Sequence, residues 1–170
     1  MKNYFTTKRL CRAGIIAALY TAMTYAFAPF AFGPFQIRPA EALCILALIY
    51  PEAIPALWVG CMLSNLTSPY FVYDVFIGSL ATLFAAFITY MVGRFVKNTP
   101  LKIILGGLPV VLLNAAIIPL IIVFLCGGKE GFSSAAVAYF TFAGSIALTE
   151  SVWVYALGTP LYFAAKRLTL

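Results

Sequence analysis

Long apolar runs broken by isolated charges set the pattern of this chain. Uncharged stretches cover 13–37, 42–51, 53–73, 75–93, 103–128, 131–149 and 151–165. A helix that crosses a bilayer needs about 20 apolar residues, within a range of roughly 17–25. The pattern therefore predicts helical spans at 10–30, 74–95, 102–126 and 134–165. The first ends at Pro29 and Pro34, and the last contains Glu150. The stretch 35–66 is different. It holds Arg38, Glu41 and Glu52 in an apolar setting, together with Pro39, Pro51 and Pro55. Pro39 suits a helix start and Pro51 a break, because proline lacks the N–H donor and clashes with the preceding turn. The stretch reads either as one kinked span or as two short spans turning at 50–52.

Charge decides between these readings. Two short spans give six crossings with both termini on one side. That side then carries Lys2, Lys8, Arg9, Arg12, Arg94, Lys97, Lys102, Lys166 and Arg167, and the other carries only Arg38 and Lys129. Nine against two is the bias expected of cytoplasmic against external loops. A single span would leave Lys166 and Arg167 outside. The expected architecture is thus an all-α integral membrane protein of one domain over 1–170. It is a compact six-transmembrane-helix bundle with short second and third spans, multi-pass in the cell membrane, with N and C termini cytoplasmic. Glu52 falls in a cytoplasmic turn as a solvated residue.

Composition agrees. The chain is 64% hydrophobic and 9% charged, with a mean hydropathy of +1.01; a soluble domain is nearer half apolar and a quarter charged. The lipid bilayer is the expected surrounding. The net charge of +6 lies at span ends, so no basic, aromatic-interleaved surface is left for nucleic acid. There is no histidine, and Cys11, Cys44, Cys61 and Cys126 form no CxxC pair. That argues against a metal site and excludes histidine acid–base chemistry. No paired carboxylates recur at helical spacing, so no catalytic residues are expected, and no cofactor is implied.

Ionisable groups inside a membrane are costly and need a partner or a polar cavity. Arg38, Glu41, Asn65 and Asp74 fall toward the external face, and Asn114 and Glu150 lie deeper. Arg38 and Glu41 fit an ion pair fixing the first loop, or a ligand clamp. Asp74 fits a helix-start carboxylate or a ligand contact. Asn114 fits an interhelical hydrogen bond or a ligand contact. Glu150 has no basic residue within seven positions, so it requires a cross-bundle partner such as Arg38, or a ligand. Trp153 is three residues on, on the same helix face. A carboxylate beside an indole suits a flat heterocycle with N–H donors, with Tyr73 as a second stacking candidate. In the first span, Ala13, Gly14, Ala17, Ala18, Thr21, Ala22 and Ala26 recur three and four apart. Such a small-residue stripe lets helices approach closely, either within the bundle or against another membrane protein.

The runs RAGIIAALYTAMT, FQIRPAEAL, YPEAIPALWVGCMLSN and YDVFIGSLATLFAA, with Asn114 and Glu150, resemble the QueT family, substrate-binding (S) components of energy-coupling factor (ECF) transporters. The resemblance covers nearly the whole chain. It implies a compact S component that captures a micronutrient near the outer face. The substrate implied is a queuosine precursor: 7-cyano- or 7-aminomethyl-7-deazaguanine, or queuine. The implied partners are a transmembrane coupling subunit and two cytoplasmic ATPases of an ECF module. Ala13, Ala17, Ala18 and Ala22 would form the docking face, and toppling would carry the substrate inward. ATP hydrolysis belongs to the partners, since the chain has no GxxxxGK[ST] loop. The implied site is Glu150, Asn114, Glu41, Arg38, Asp74, Asn65, Trp153 and Tyr73. An S component for a flavin or thiamine-like vitamin is the alternative.

Overall fold

The computed structural model describes residues 6–32, 36–128 and 130–168, whose regular elements are all helical, with no strand among them. Helix α1 covers Thr7–Ala26 and is followed by a one-turn helix α2, Ala28–Ala31. The first span thus breaks earlier than expected, at Phe27: Pro29 has no N–H to continue the α1 ladder, and it sits instead in the first turn of α2. A 3-10 helix covers Pro39–Leu48 and α3 covers Ala53–Asn65. Then come three long helices, α4 (Phe71–Phe95), α5 (Thr99–Leu125) and α6 (Ala135–Arg167). These three are long and apolar enough to cross a membrane, while Pro39–Leu48 and Ala53–Asn65 are shorter apolar helices. Pro34, Lys2 and Lys129, used in the sequence reading, lie outside the described residues.

The 3-10 helix is the axis of the molecule. All ten of its residues are buried, and it packs against α1, α3, α4, α5 and α6. Runs of 3-10 helix beyond three or four residues are uncommon. Two features favour this one. A 3-10 helix rises about 2.0 Å per residue, so ten residues reach about a third further than the same α-helix would. Its surroundings also admit it closely: a Cβ on Gly93 of α4 would overlap the Leu48 backbone, and one on Gly106 of α5 would meet the Leu48 side chain at 2.6 Å.

The remaining helices surround this axis. Helix α1 lies on α3, where Gly60 leaves room for the Ala17 carbonyl and Thr21 donates to the Gly60 carbonyl at 3.3 Å. Thr89 of α4 donates to the Gly106 carbonyl of α5 at 2.7 Å, and Tyr155 of α6 to Ile104 of α5 at 2.8 Å. The bundle has two ends. At one, Arg12 pairs with Glu52 at 2.6 Å, and Tyr50 donates to the Ala165 carbonyl at 3.0 Å. This terminal end holds the start of α1 and the end of α6. At the other, Tyr25 donates to Leu63 at 2.9 Å and Arg38 reaches Asn65. This is the loop end.

The expectation for Glu52 needs correcting. It is not simply a solvated turn residue. Its carboxylate holds Arg12, whose guanidinium also lies 4.0 Å from the Tyr50 ring centroid. Sequence distance hid this contact, because 40 residues separate the partners.

Candidate functional site

The loop end and the middle of the bundle hold a buried polar cluster. Arg38, Glu41, Asn65, Asp74, Asn114 and Glu150 are all 4% exposed or less. Three elements supply its upper part. Arg38 precedes the 3-10 helix, Asn65 closes α3 and Asp74 lies in the first turns of α4. Arg38 donates from Nε to the Ala31 carbonyl at 2.9 Å and from a terminal nitrogen to Asn65 Oδ1 at 3.3 Å, with its guanidinium 4.9 Å from the Phe32 ring. Asn65 donates in turn to the Asp74 carbonyl at 2.8 Å. Asp74 accepts from the Ser68 hydroxyl at 2.5 Å. Its carboxylate is therefore not a helix-start group facing solvent. The helix begins three residues earlier, at Phe71, and Asp74 opens a π turn, Asp74–Gly78.

Glu41 does not pair with Arg38, contrary to one sequence expectation. One of its oxygens accepts from the Tyr20 hydroxyl of α1 and the other from the Cys44 thiol at 3.3 Å. The 3-10 geometry explains the second contact, because residues i and i+3 eclipse in such a helix. Both Glu41 oxygens are thus occupied from within.

Glu150 is held differently. It is fully buried, and Asn114 Nδ2 donates to its Oε1 at 3.3 Å, joining α6 to α5. Its second oxygen, Oε2, has no hydrogen-bond partner. Among the described residues one other buried side-chain atom shares that condition, Oε1 of Gln36. Leaving a buried acceptor unmet costs about 1–3 kcal/mol, more when it is charged.

The aromatic candidates are placed apart. Trp153 begins a π turn, Trp153–Leu157, and its half-buried ring lies 6.5 Å from that of Phe27 in a tilted arrangement. It ties α6 to the segment leading to Arg38. Tyr73 is 40% exposed and lines an open groove of about 400 Å³ with Pro69, Tyr70 and Cys126, not the buried cluster. Burial pushes the Tyr70 phenol up from its ordinary value.

The small-residue stripe divides in two. Ala13 and Ala17 pack toward the core beside α3. Gly14, Ala18 and Ala22 face outward, and Gly14 has nothing within 4 Å of where a Cβ would stand. Among the described residues, no group of three or more His, Cys, Asp or Glu is arranged to hold a metal ion.

An all-helical bundle with three membrane-length helices and a buried, partly unmet polar cluster defines a multi-pass membrane protein built around an internal polar site. A family model described as QueT transporter matches residues 10–167. The chain belongs to the QueT transporter family, a family of membrane transporters and not of enzymes. Comparison with curated proteins and with solved structures returns no match.

Proposed function

We propose that the chain is the S component of an ECF-type importer, binding a queuosine precursor of the 7-deazaguanine class. The observation that carries this reading is Glu150. Its carboxylate is fully buried, oriented by Asn114, and keeps one oxygen without a donor. A guanine edge presents N1–H and an exocyclic amine, and a carboxylate accepts such donors in strong charge-assisted bonds. Asn114 orients the acid, and Trp153 stands one turn along as the aromatic neighbour. Arg38, Asn65 and Asp74 form the scaffold over the site, and Glu41 anchors the 3-10 helix through Tyr20 and Cys44.

In this reading the bundle crosses the membrane six times. Lys8, Arg9, Arg12, Arg94, Lys97, Lys102, Lys166 and Arg167 cluster at the terminal end, which the positive-inside rule assigns to the cytoplasm. The site then opens toward the outside. The outward Gly14, Ala18 and Ala22 face of α1 is the surface offered to a transmembrane coupling subunit. Two cytoplasmic ATPases supply the energy, and toppling delivers the substrate inward.

The experiment is mass spectrometry of the small molecule that purifies with the protein from cells. A 7-deazaguanine is expected. A flavin, a thiamine-like compound or another vitamin would overturn the substrate class.

A further inference from the structure

Gln36 stands out once the polar cluster has been accounted for. It is 1% exposed, and its Oε1 has no donor. Its backbone has φ of +46°, in the left-handed region. Residues other than glycine adopt that region uncommonly, and a long side chain there is held by its surroundings. Those surroundings are visible. The next residue, Ile37, donates its N–H to the Phe30 carbonyl at 3.0 Å, and Arg38 Nε donates to the Ala31 carbonyl at 2.9 Å. Both contacts pin the segment to α2. The chain is bent against its preference at a residue whose side chain is then buried with an acceptor unused.

The donors of the buried cluster are engaged with one another's acceptors. Tyr20 and Cys44 donate to Glu41, Ser68 to Asp74, Asn65 to Asp74, and Asn114 to Glu150. Two acceptors remain, Gln36 Oε1 and Glu150 Oε2, and no unmet donor accompanies them among the described residues. Gln36 belongs to the segment pinned to α2, and Phe27, just before α2, meets the ring of Trp153, three residues from Glu150. Two unmet buried acceptors call for a ligand with at least two N–H donors.

We propose that Gln36 is a second substrate-reading residue, its Oε1 accepting one N–H of the ligand while Glu150 Oε2 accepts another. This rests on the reading of Glu150 as the substrate acceptor. It makes the ligand a donor-rich planar heterocycle. For a 7-deazaguanine, N1–H and the 2-amine supply the donors, and a ring without the amine leaves one protein acceptor unpaired. A site built around hydrogen bonds discriminates strongly against a ligand that lacks them.

The test uses the full chain in detergent and the Gln36→Met variant. Methionine keeps the length and the backbone constraint but removes the acceptor. Binding of 7-cyano-7-deazaguanine and of its analogue without the 2-amine is measured by calorimetry. In the wild-type protein, loss of the amine weakens binding by about tenfold or more, since each tenfold is about 1.4 kcal/mol. Gln36→Met binds 7-cyano-7-deazaguanine about tenfold more weakly and discriminates less between the two probes. Thermal unfolding of the empty variant is unchanged or higher, which a merely structural role would not give.

Unchanged affinity in Gln36→Met, with Glu150→Gln still weakened, overturns the role of Gln36 and leaves the proposed function standing. If wild type binds neither probe, the substrate class falls instead. The small molecule retained through purification by wild type and by Gln36→Met is then quantified by native mass spectrometry. Loss of occupancy in the variant supports the role of Gln36, and equal or absent occupancy overturns it.

Discussion

The two ends of the bundle treat charge in opposite ways. At the terminal end, Arg12 and Glu52 meet at 2.6 Å with side chains 27% and 10% exposed. Tyr50 closes the contact from below through its ring and its hydroxyl. At the loop end, Arg38, Asp74, Asn65 and Gln36 are all buried, and beneath them Glu150 is 0% exposed with one oxygen unmet. The first arrangement fastens helices. The second spends most of its polar groups on one another and still leaves two acceptors over. The comparison teaches that burial of charge alone does not mark a site. Glu41 and Glu150 are both buried, yet only Glu150 keeps an oxygen without an internal donor. What marks a candidate site is the atom that the fold leaves unpaired.

Three substitutions can break or sharpen this contrast. The largest loss of stability is expected from Asn65→Leu. It removes the acceptor for Arg38 and the donor to the Asp74 carbonyl together. A buried charge stripped of a partner costs about 3 kcal/mol or more, so thermal unfolding in detergent should fall markedly. An intermediate loss is expected from Tyr20→Phe, which leaves one Glu41 oxygen without its donor. The cost is about 1–3 kcal/mol, read as a lower unfolding temperature with ligand affinity little changed. A strong affinity loss without destabilisation would instead place Glu41 among the substrate contacts. The smallest effect belongs to Arg12→Ala at the terminal end. A partly exposed ion pair with a cation–π contact is worth about 1 kcal/mol or less each. A small drop in unfolding temperature that shrinks in high salt is the expected result.

Much of the fold was legible in the sequence because charge and proline punctuate it. The turn between the 3-10 helix and α3 falls where Pro51 and the lysine and arginine balance put it, and the long helices follow the apolar runs. The 3-10 character of Pro39–Leu48 was not legible. It depends on Gly93 and Gly106 brought from other helices, and no local pattern records their approach. The alanine stripe of α1 was visible, but its division into an inner face against Gly60 and an outer face required the position of α3. For the site, the isolation of Glu150 from any nearby base was visible in the sequence, and Asn114 is the residue found beside it. The roles of Glu41 and Asp74 were hidden, because their donors Tyr20, Cys44 and Ser68 carry no charge to draw attention. Gln36 was passed over for the same reason. Its signal is a backbone angle and an empty acceptor, which appear only in three dimensions.

The central claim is that Glu150 keeps an oxygen for the substrate. The most direct measurement is calorimetric titration of 7-cyano-7-deazaguanine into wild-type and Glu150→Gln protein, with unfolding temperatures of both recorded without ligand. Glutamine keeps the shape but brings a donor and no charge, and it removes the cost of an unmet buried carboxylate oxygen. The account predicts affinity at least about tenfold weaker, a loss of about 1.4 kcal/mol or more, with the empty variant as stable as wild type or more so. Unchanged affinity in a folded Glu150→Gln protein would contradict it.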